Sequence, residues 1–210
     1  MKTVDQKFRV YLLRHGEIRS ENCLVGQRNT PLTEEGLRQA HRWNGLFDEV
    51  DLSRICCSDL DRCVRTAEII AGTRKQPVEP MPAFREIRLG DWEGLPVAEV
   101  ARRFPDAWLE RGTHLATYRP PGGESFEDLK ERVIPAFDRI VYEAEGDIMV
   151  VAHGGVNRVI LCHLLEAPLD NVFRLGQDYG CLNIIEFDGE SFQLSVVNMR
   201  PNVNGQFRIL

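Results

Sequence analysis

Apolar positions along this chain follow two periods that take turns. Residues 8–13, FRVYLL, form a nearly unbroken apolar run that predicts a buried strand. Residues 34–47 switch to a helical stripe of Leu37, Ala40, Trp43 and Phe47, interrupted on that face by the polar Asn44. Thr33 is placed to cap this helix, and Glu34 and Glu35 put acid in its first turn. Residues 54–58 (RICCS) read as a second strand. The helix expected after it, over residues 61–72, has Cys63, Ala67 and Ile70 on one face and Gly72 as its stop. Pro77, Pro80 and Pro82 break the next stretch into extended or turn structure, and residues 97–104 allow only a short helix.

Strong periodicity returns in residues 122–141, with Phe126, Leu129, Val133, Ala136, Phe137, Ile140 and Val141 on one face. Glu124 or Ser125 stands at its capping position, and Pro135 is expected to bend it by removing a backbone donor. Residues 148–152 predict a fully buried strand and 156–165 a helix. The last two apolar runs, CLNIIEFD and SFQLSVVNM, predict a hairpin turning at residues 188–190. Strands alternating with helices predict an α/β fold with a largely parallel sheet.

At 210 residues and 43% hydrophobic content the chain is long enough to bury a sizeable core, and a single domain over residues 1–210 is expected. A net charge of −6 argues against a general nucleic-acid or anionic-membrane binder, so any basic site has to be local. Residues 1–7 are polar and no run reaches the length of a membrane span, which predicts a soluble, cytoplasmic protein. The cysteines, Cys23, Cys56, Cys57, Cys63, Cys162 and Cys181, lack metal-ligand spacing and read as reduced thiols; no metal or cofactor is expected.

Two predicted strands finish alike, in LLRHGE and VVAHGG. Ligands of open α/β sheets bind beyond the carboxyl ends of the strands, so neighbouring strands would bring His15 and His153 to one ligand. The glycines after each histidine permit close backbone approach, and amides following Gly154 at a helix start can face an anion. Arg14 and Arg62 supply guanidinium groups that match phosphate; taken singly, Arg62 reads rather as solvated surface charge. Cations beside an imidazole favour its neutral form and leave a ring nitrogen free to attack, so the pattern predicts a nucleophile in a phosphate trap.

Five segments, LLRHGE, SDLDRCVRTAEII, FREIRLGDWEG, PGGESFEDLKERV and VVAHGGVNR, together and in this order resemble the signatures of the histidine phosphatase superfamily, in its phosphoglycerate-mutase-like branch. The resemblance covers nearly the whole chain. It implies a three-layer α/β/α sandwich with a mostly parallel central sheet, and metal-free chemistry through a phosphohistidine. By the same resemblance His15 is similar to the family nucleophile, Arg14, Arg62 and His153 to its phosphate pocket, and Glu86 to its proton donor. Taken alone, Glu86 between Arg85 and Arg88 reads as a surface carboxylate, and Arg85 would oppose the acid role unless burial outweighs it.

One stretch departs from the family pattern. IRSENCLVGQRNTPLT does not cleanly place the family's phosphate-contacting asparagine; Asn22 is the nearest candidate, and Asn29 stands where an aspartate is common. Two readings stand for Gln27, a phosphate contact and a polar loop residue. Residues 87–121 are expected to cover the site, with Trp92, Trp108, His114, Tyr118 and Arg119 available either to bind the non-reacting part of a substrate or to pack the cover down.

This short cover favours hydrolysis over mutase transfer. Compact members with GQ..PLT and PPGGESF look like phosphatases of α-ribazole 5'-phosphate or of sugar phosphates. The expected partner is thus a small phosphorylated metabolite, with the protein a monomer or a homodimer. Three alternatives remain: a phosphoglycerate-mutase-type transferase, a phosphate sensor without turnover, and a magnesium-dependent phosphatase with Asp59 as nucleophile. The last lacks the later lysine and carboxylates such chemistry needs.

Overall fold

The computed structural model describes residues 7–200. The expectation of a leaderless start, at residues 1–7, falls outside them except for Lys7. In chain order the elements are β1 (Phe8–Arg14), α1 (Glu34–Phe47), β2 (Arg54–Cys57), α2 (Asp61–Ala71), β3 (Val78–Pro80), α3 (Val97–Arg103), α4 (Pro105–Thr113), α5 (Phe126–Tyr142), β4 (Ile148–Ala152), α6 (Gly154–Leu164), β5 (Leu182–Phe187) and β6 (Phe192–Met199).

The six strands form one sheet in the order β3-β2-β4-β1-β5-β6. The β3-β2, β2-β4 and β4-β1 pairings are parallel, whereas β5 joins β1 antiparallel and β6 closes the hairpin. Because side chains alternate across a strand, the sheet buries two separate sets. Val10, Leu12, Val150 and Ala152 pack with α5 and α6, while Tyr11, Leu13, Met149 and Val151 pack with α1 and α2. The result is the three-layer α/β/α sandwich that the family resemblance implied. Each fully buried aliphatic side chain in these layers contributes about 1.5–3 kcal/mol.

Helix ends follow local chemistry. Thr33 caps α1 by accepting from the Gly36 amide, and Ser125 and Asp128 form a reciprocal capping box at α5. Helix α5 continues through Pro135 as one element. Strand β3 and helix α4 lie where extended or irregular structure was expected, and α6 begins at Gly154, two residues before its predicted start. That earlier start puts His153 at the N-cap and the amides of Gly154 and Gly155 in the first turn. The register pairs Arg14 with Ala152, so β1 and β4 end side by side at one edge of the sheet.

Candidate active site

His15 follows the last residue of β1, and its backbone is fixed on both sides. Its amide donates to the Ala152 carbonyl (3.0 Å) and its carbonyl accepts from the Gly180 amide (2.9 Å). The chain can turn here only because residue 16 is glycine: a Cβ on Gly16 would lie 2.4 Å from the Gly36 carbonyl oxygen. The imidazole is 3% exposed. Its Nδ1 donates to the Gly16 carbonyl at 2.8 Å, and Nε2 accepts from Arg62 Nε at 3.3 Å, which assigns the proton to Nδ1 and the lone pair to Nε2.

His153 stands at the N-cap position of α6 beside it, with the two rings edge to face at a centroid distance of 5.1 Å. The ring is fully buried; its Nε2 lies 2.8 Å from Ser58 Oγ and 3.4 Å from Cys63 Sγ. Burial holds both histidines well below the ordinary imidazole pKa; Arg14 and Arg62 depress His15 further, and Arg62, His15 and Arg14 depress His153. Both rings are therefore neutral at neutral pH.

Arg62 enters from the first turn of α2 and is itself buried. Its guanidinium is aimed by two loop carbonyls, with Nη1 donating to Arg28 (2.8 Å) and Nη2 to Gly26 (2.6 Å). Arg14 donates through Nη1 to the Gln177 carbonyl (2.5 Å) and lies over the Tyr179 ring at 3.8 Å, while its buried Nε has no partner among the described residues. An unpaired buried donor is costly, and an anion at this position would satisfy it.

Glu86 reaches the same place from the loop before the 3-10 turn at Gly90–Trp92. Its carboxylate accepts from the Gly155 amide (3.0 Å) and the Ile87 amide (2.8 Å), which sets it at the positive end of α6. Arg85 is directed away from it, into a bidentate pair with Asp59 at 2.8 and 2.6 Å. That pair also commits Asp59, the nucleophile of the magnesium-dependent alternative, and holds its carboxyl below the usual range. Arg132 of α5 pins the Glu86 loop by donating to the carbonyls of Ala83, Arg85 and Glu86 at 2.7–2.9 Å. A cavity of about 210 Å³ adjoins the cluster, with Arg14, Glu86, Gly155 and Tyr179 in its wall.

His15, His153, Arg14, Arg62, Glu86 and the Gly154 turn are thus brought together. Asn22 is not: it is exposed, adopts a left-handed φ of 61°, and is absent from the cavity wall. Gln27 is near, yet its side-chain amide donates to the Glu86 carbonyl (3.0 Å), so its polar end braces the Glu86 loop. In the covering segment Trp92 is buried and stacks on Tyr118 at 5.5 Å, while Arg119 turns outward to Asp128.

Ser58, Arg132, Gln177 and Tyr179 were missed in the sequence as parts of the site. Ser58 and Arg132 each lie in one of the family-like segments and were within reach; Gln177 and Tyr179, in a loop, carry no local signal.

Comparison with known proteins bears out the family resemblance and the fold. The profile of the histidine phosphatase superfamily (branch 1) matches residues 10–200. The adenosylcobalamin/alpha-ribazole phosphatase of Escherichia coli K12 is 29% identical over 198 residues, covering 91% of this chain and 96% of the relative. The crystal structure of the alpha-ribazole phosphatase from Shigella flexneri superposes with a TM-score of 0.85 at 28% identity, over 92% of this chain and 97% of the other. A mycobacterial glucosyl-3-phosphoglycerate phosphatase, solved in complex with inorganic phosphate, gives a TM-score of 0.80 at 29% identity, over 92% and 98%.

Proposed function

The chain belongs to the histidine phosphatase superfamily, branch 1, and on that premise we propose that it hydrolyses phosphomonoesters through a phosphohistidine formed at His15, without a metal. It is a phosphatase of a small phosphorylated metabolite, as are the relatives it resembles. The observation that carries the mechanistic reading is the buried His15 ring, whose Nδ1 donates to the Gly16 carbonyl and whose Nε2 faces the buried Arg62.

In the first step Nε2 of His15 attacks phosphorus in line and the bond to the leaving alkoxide breaks. Arg14 and Arg62 spread the charge of the equatorial oxygens, with the Arg14 Nε donor finding its partner there. Glu86, in its acid form, gives its proton to the alkoxide. In the second step the Glu86 carboxylate takes a proton from water, the water oxygen attacks phosphorus, and the P–N bond breaks to return His15 and inorganic phosphate. His153, held by Ser58, adds a neutral donor to the phosphate without adding charge that would compete with the arginines.

Residues 87–121 serve as a short cover that leaves water access to the phosphoenzyme, which favours hydrolysis over return of the phosphoryl group to substrate. The finer reading, from the named relatives, is α-ribazole 5'-phosphate or a phosphorylated sugar derivative as substrate. The acidic net charge of −6 fits a cytoplasmic enzyme acting on free metabolites rather than on nucleic acid or membrane, as a monomer or homodimer. Among the described residues no helix is long and apolar enough to cross a membrane.

The test is phosphate release from p-nitrophenyl phosphate and from a panel including α-ribazole 5'-phosphate and sugar phosphates, in excess EDTA. Turnover undiminished by EDTA is expected; abolition by EDTA, or no turnover of any member, would contradict the reading.

A further inference from the structure

The Arg14 guanidinium is aimed by a peptide bond, and that peptide is held from the edge strand β6. Nη1 of Arg14 donates to the Gln177 carbonyl at 2.5 Å. The amide of the same peptide unit, on Asp178, donates the other way, to Asn198 Oδ1 at 2.7 Å. A trans peptide is planar, with its C=O and N–H pointing in opposite directions, so the bond from Asp178 to Asn198 sets the direction in which the Gln177 carbonyl meets Arg14. Asn198 grips the residue a second time, with Nδ2 donating to Asp178 Oδ2 at 2.7 Å, and Arg200 holds that carboxylate as well.

Asn198 has an unusual backbone for a strand residue. It lies in β6 with a φ of 57°, in the left-handed region that asparagine tolerates better than most side chains do. The strand pairing explains how it gets there. Between the Leu182–Met199 and Ile184–Val196 pairs, β5 places one residue, Asn183, against two of β6, Val197 and Asn198, which is a bulge. The bulge turns the Asn198 side chain onto the neighbouring loop so closely that a Cβ on Gly176 would lie 2.8 Å from its Nδ2. From behind, Asn183 Oδ1 accepts from the Asn198 amide (3.0 Å) and from Gln177 Nε2 (2.7 Å), and Asn183 Nδ2 donates to Gln177 Oε1 (3.0 Å). Those bonds hold the Gln177 side chain, and the orientation of its carbonyl is left to Asn198. A strained residue whose side-chain bonds both go to Asp178, beside a cation of the site, points to function rather than to sheet stability.

We propose that Asn198 is a positioning residue of the phosphate site: through the Gln177–Asp178 peptide it fixes the rotation of the Arg14 guanidinium, so that Nε, the buried donor with no partner among the described residues, faces the anion. The Tyr179 ring, 3.8 Å from the guanidinium carbon, covers one face of the group, and the carbonyl on Nη1 decides how the planar fork is turned. Asn198 lies outside all five family-like segments. The proposal rests on the phosphate site of the reading above and deepens it.

Asn198→Gly tests it, since glycine adopts the left-handed φ readily and only the side chain is lost. For the wild type, Asn198→Gly, Arg14→Lys and the double variant, kcat and KM are measured with p-nitrophenyl phosphate, the Kd of inorganic phosphate by calorimetry, and folding by thermal unfolding. Lysine keeps the charge at position 14 but has no planar fork to aim. Asn198→Gly is expected to stay folded, to lower kcat/KM by about tenfold and to weaken phosphate binding, as befits one misdirected charge-assisted pair. In the Arg14→Lys background the same change is expected to alter either quantity by no more than about twofold, because its effect passes through the arginine. An equal loss in both backgrounds, no loss, or a loss that accompanies collapse of the fold would overturn the positioning role and leave the phosphatase reading standing. A wild type that binds phosphate more tightly than Asn198→Gly but turns over no ester would overturn the phosphatase reading and support the aiming of Arg14. One that neither binds nor turns over would overturn both.

Discussion

In the proposed mechanism His15 and Glu86 divide the chemistry, and each is prepared by neighbours to which it assigns no chemistry. The Gly16 carbonyl fixes the His15 tautomer; the Gly155 amide and the Arg132-pinned loop fix the Glu86 carboxylate. The role assigned to Glu86 predicts that Glu86→Gln loses more rate on alkyl phosphates, whose leaving alkoxides need a proton, than on p-nitrophenyl phosphate, whose phenolate leaves without one. A difference of about tenfold or more between the two losses is expected, and equal losses would argue against proton donation from this residue. At this scale the sequence was most legible where side chain and peptide act together. The RHG and AHGG endings put Arg14, His15 and His153 at strand ends by periodicity alone. The two readings of Gln27 could not be separated in the sequence, because its side chain meets a backbone carbonyl, a partner no residue pattern announces.

Among the elements, α6 carries the most consequence. Its start at Gly154 places the Gly155 amide against Glu86 Oε2, and a Cβ on Gly155 would lie 2.3 Å from Oε1 of the same carboxylate. That neighbour is the end of a flexible side chain, so relief is achieved by moving Glu86 rather than by distorting the helix. Gly155→Ala is thus expected to cost little stability and at least about tenfold in kcat, because misplacing a catalytic group by roughly 1 Å carries penalties up to about a hundredfold. The check is to compare thermal unfolding with turnover; a variant destabilised in proportion to its lost activity would contradict the assignment.

The helices α1, α2 and α5 were legible from stripe and cap. Helix α4, by contrast, buries none of its residues fully and so has no strong apolar stripe to read. Strand β3 is three residues long and ends on Pro80, too short for a period to register. The antiparallel place of β5 beside β1 is a long-range pairing that no local pattern specifies.

For the whole molecule, the site sets a condition on stability. His15 and His153 are buried neutral with folded pKa values well below the ordinary 6.5, so below that pH the unfolded chain binds more protons than the native one. Their contribution is fully present above about pH 6.5 and is lost as the pH falls toward their folded values. Thermal unfolding followed from about pH 7.5 to about pH 5 should show Tm falling through this window, ahead of the carboxylates such as Asp59 that are protonated at lower pH. A Tm that stays level over that range would mean the two rings are not held neutral by the fold.

The central claim is the covalent step at His15, and trapping the phosphoenzyme tests it most directly. Wild type and His15→Ala are mixed with phosphomonoester, quenched in alkali within milliseconds to seconds, and mapped by peptide mass spectrometry. The account predicts an alkali-stable, acid-labile phosphoryl group on His15 that is absent, together with turnover, from the folded His15→Ala variant. Alkali-stable phosphate found on another residue such as His153, or undiminished phosphate release by His15→Ala, would contradict it.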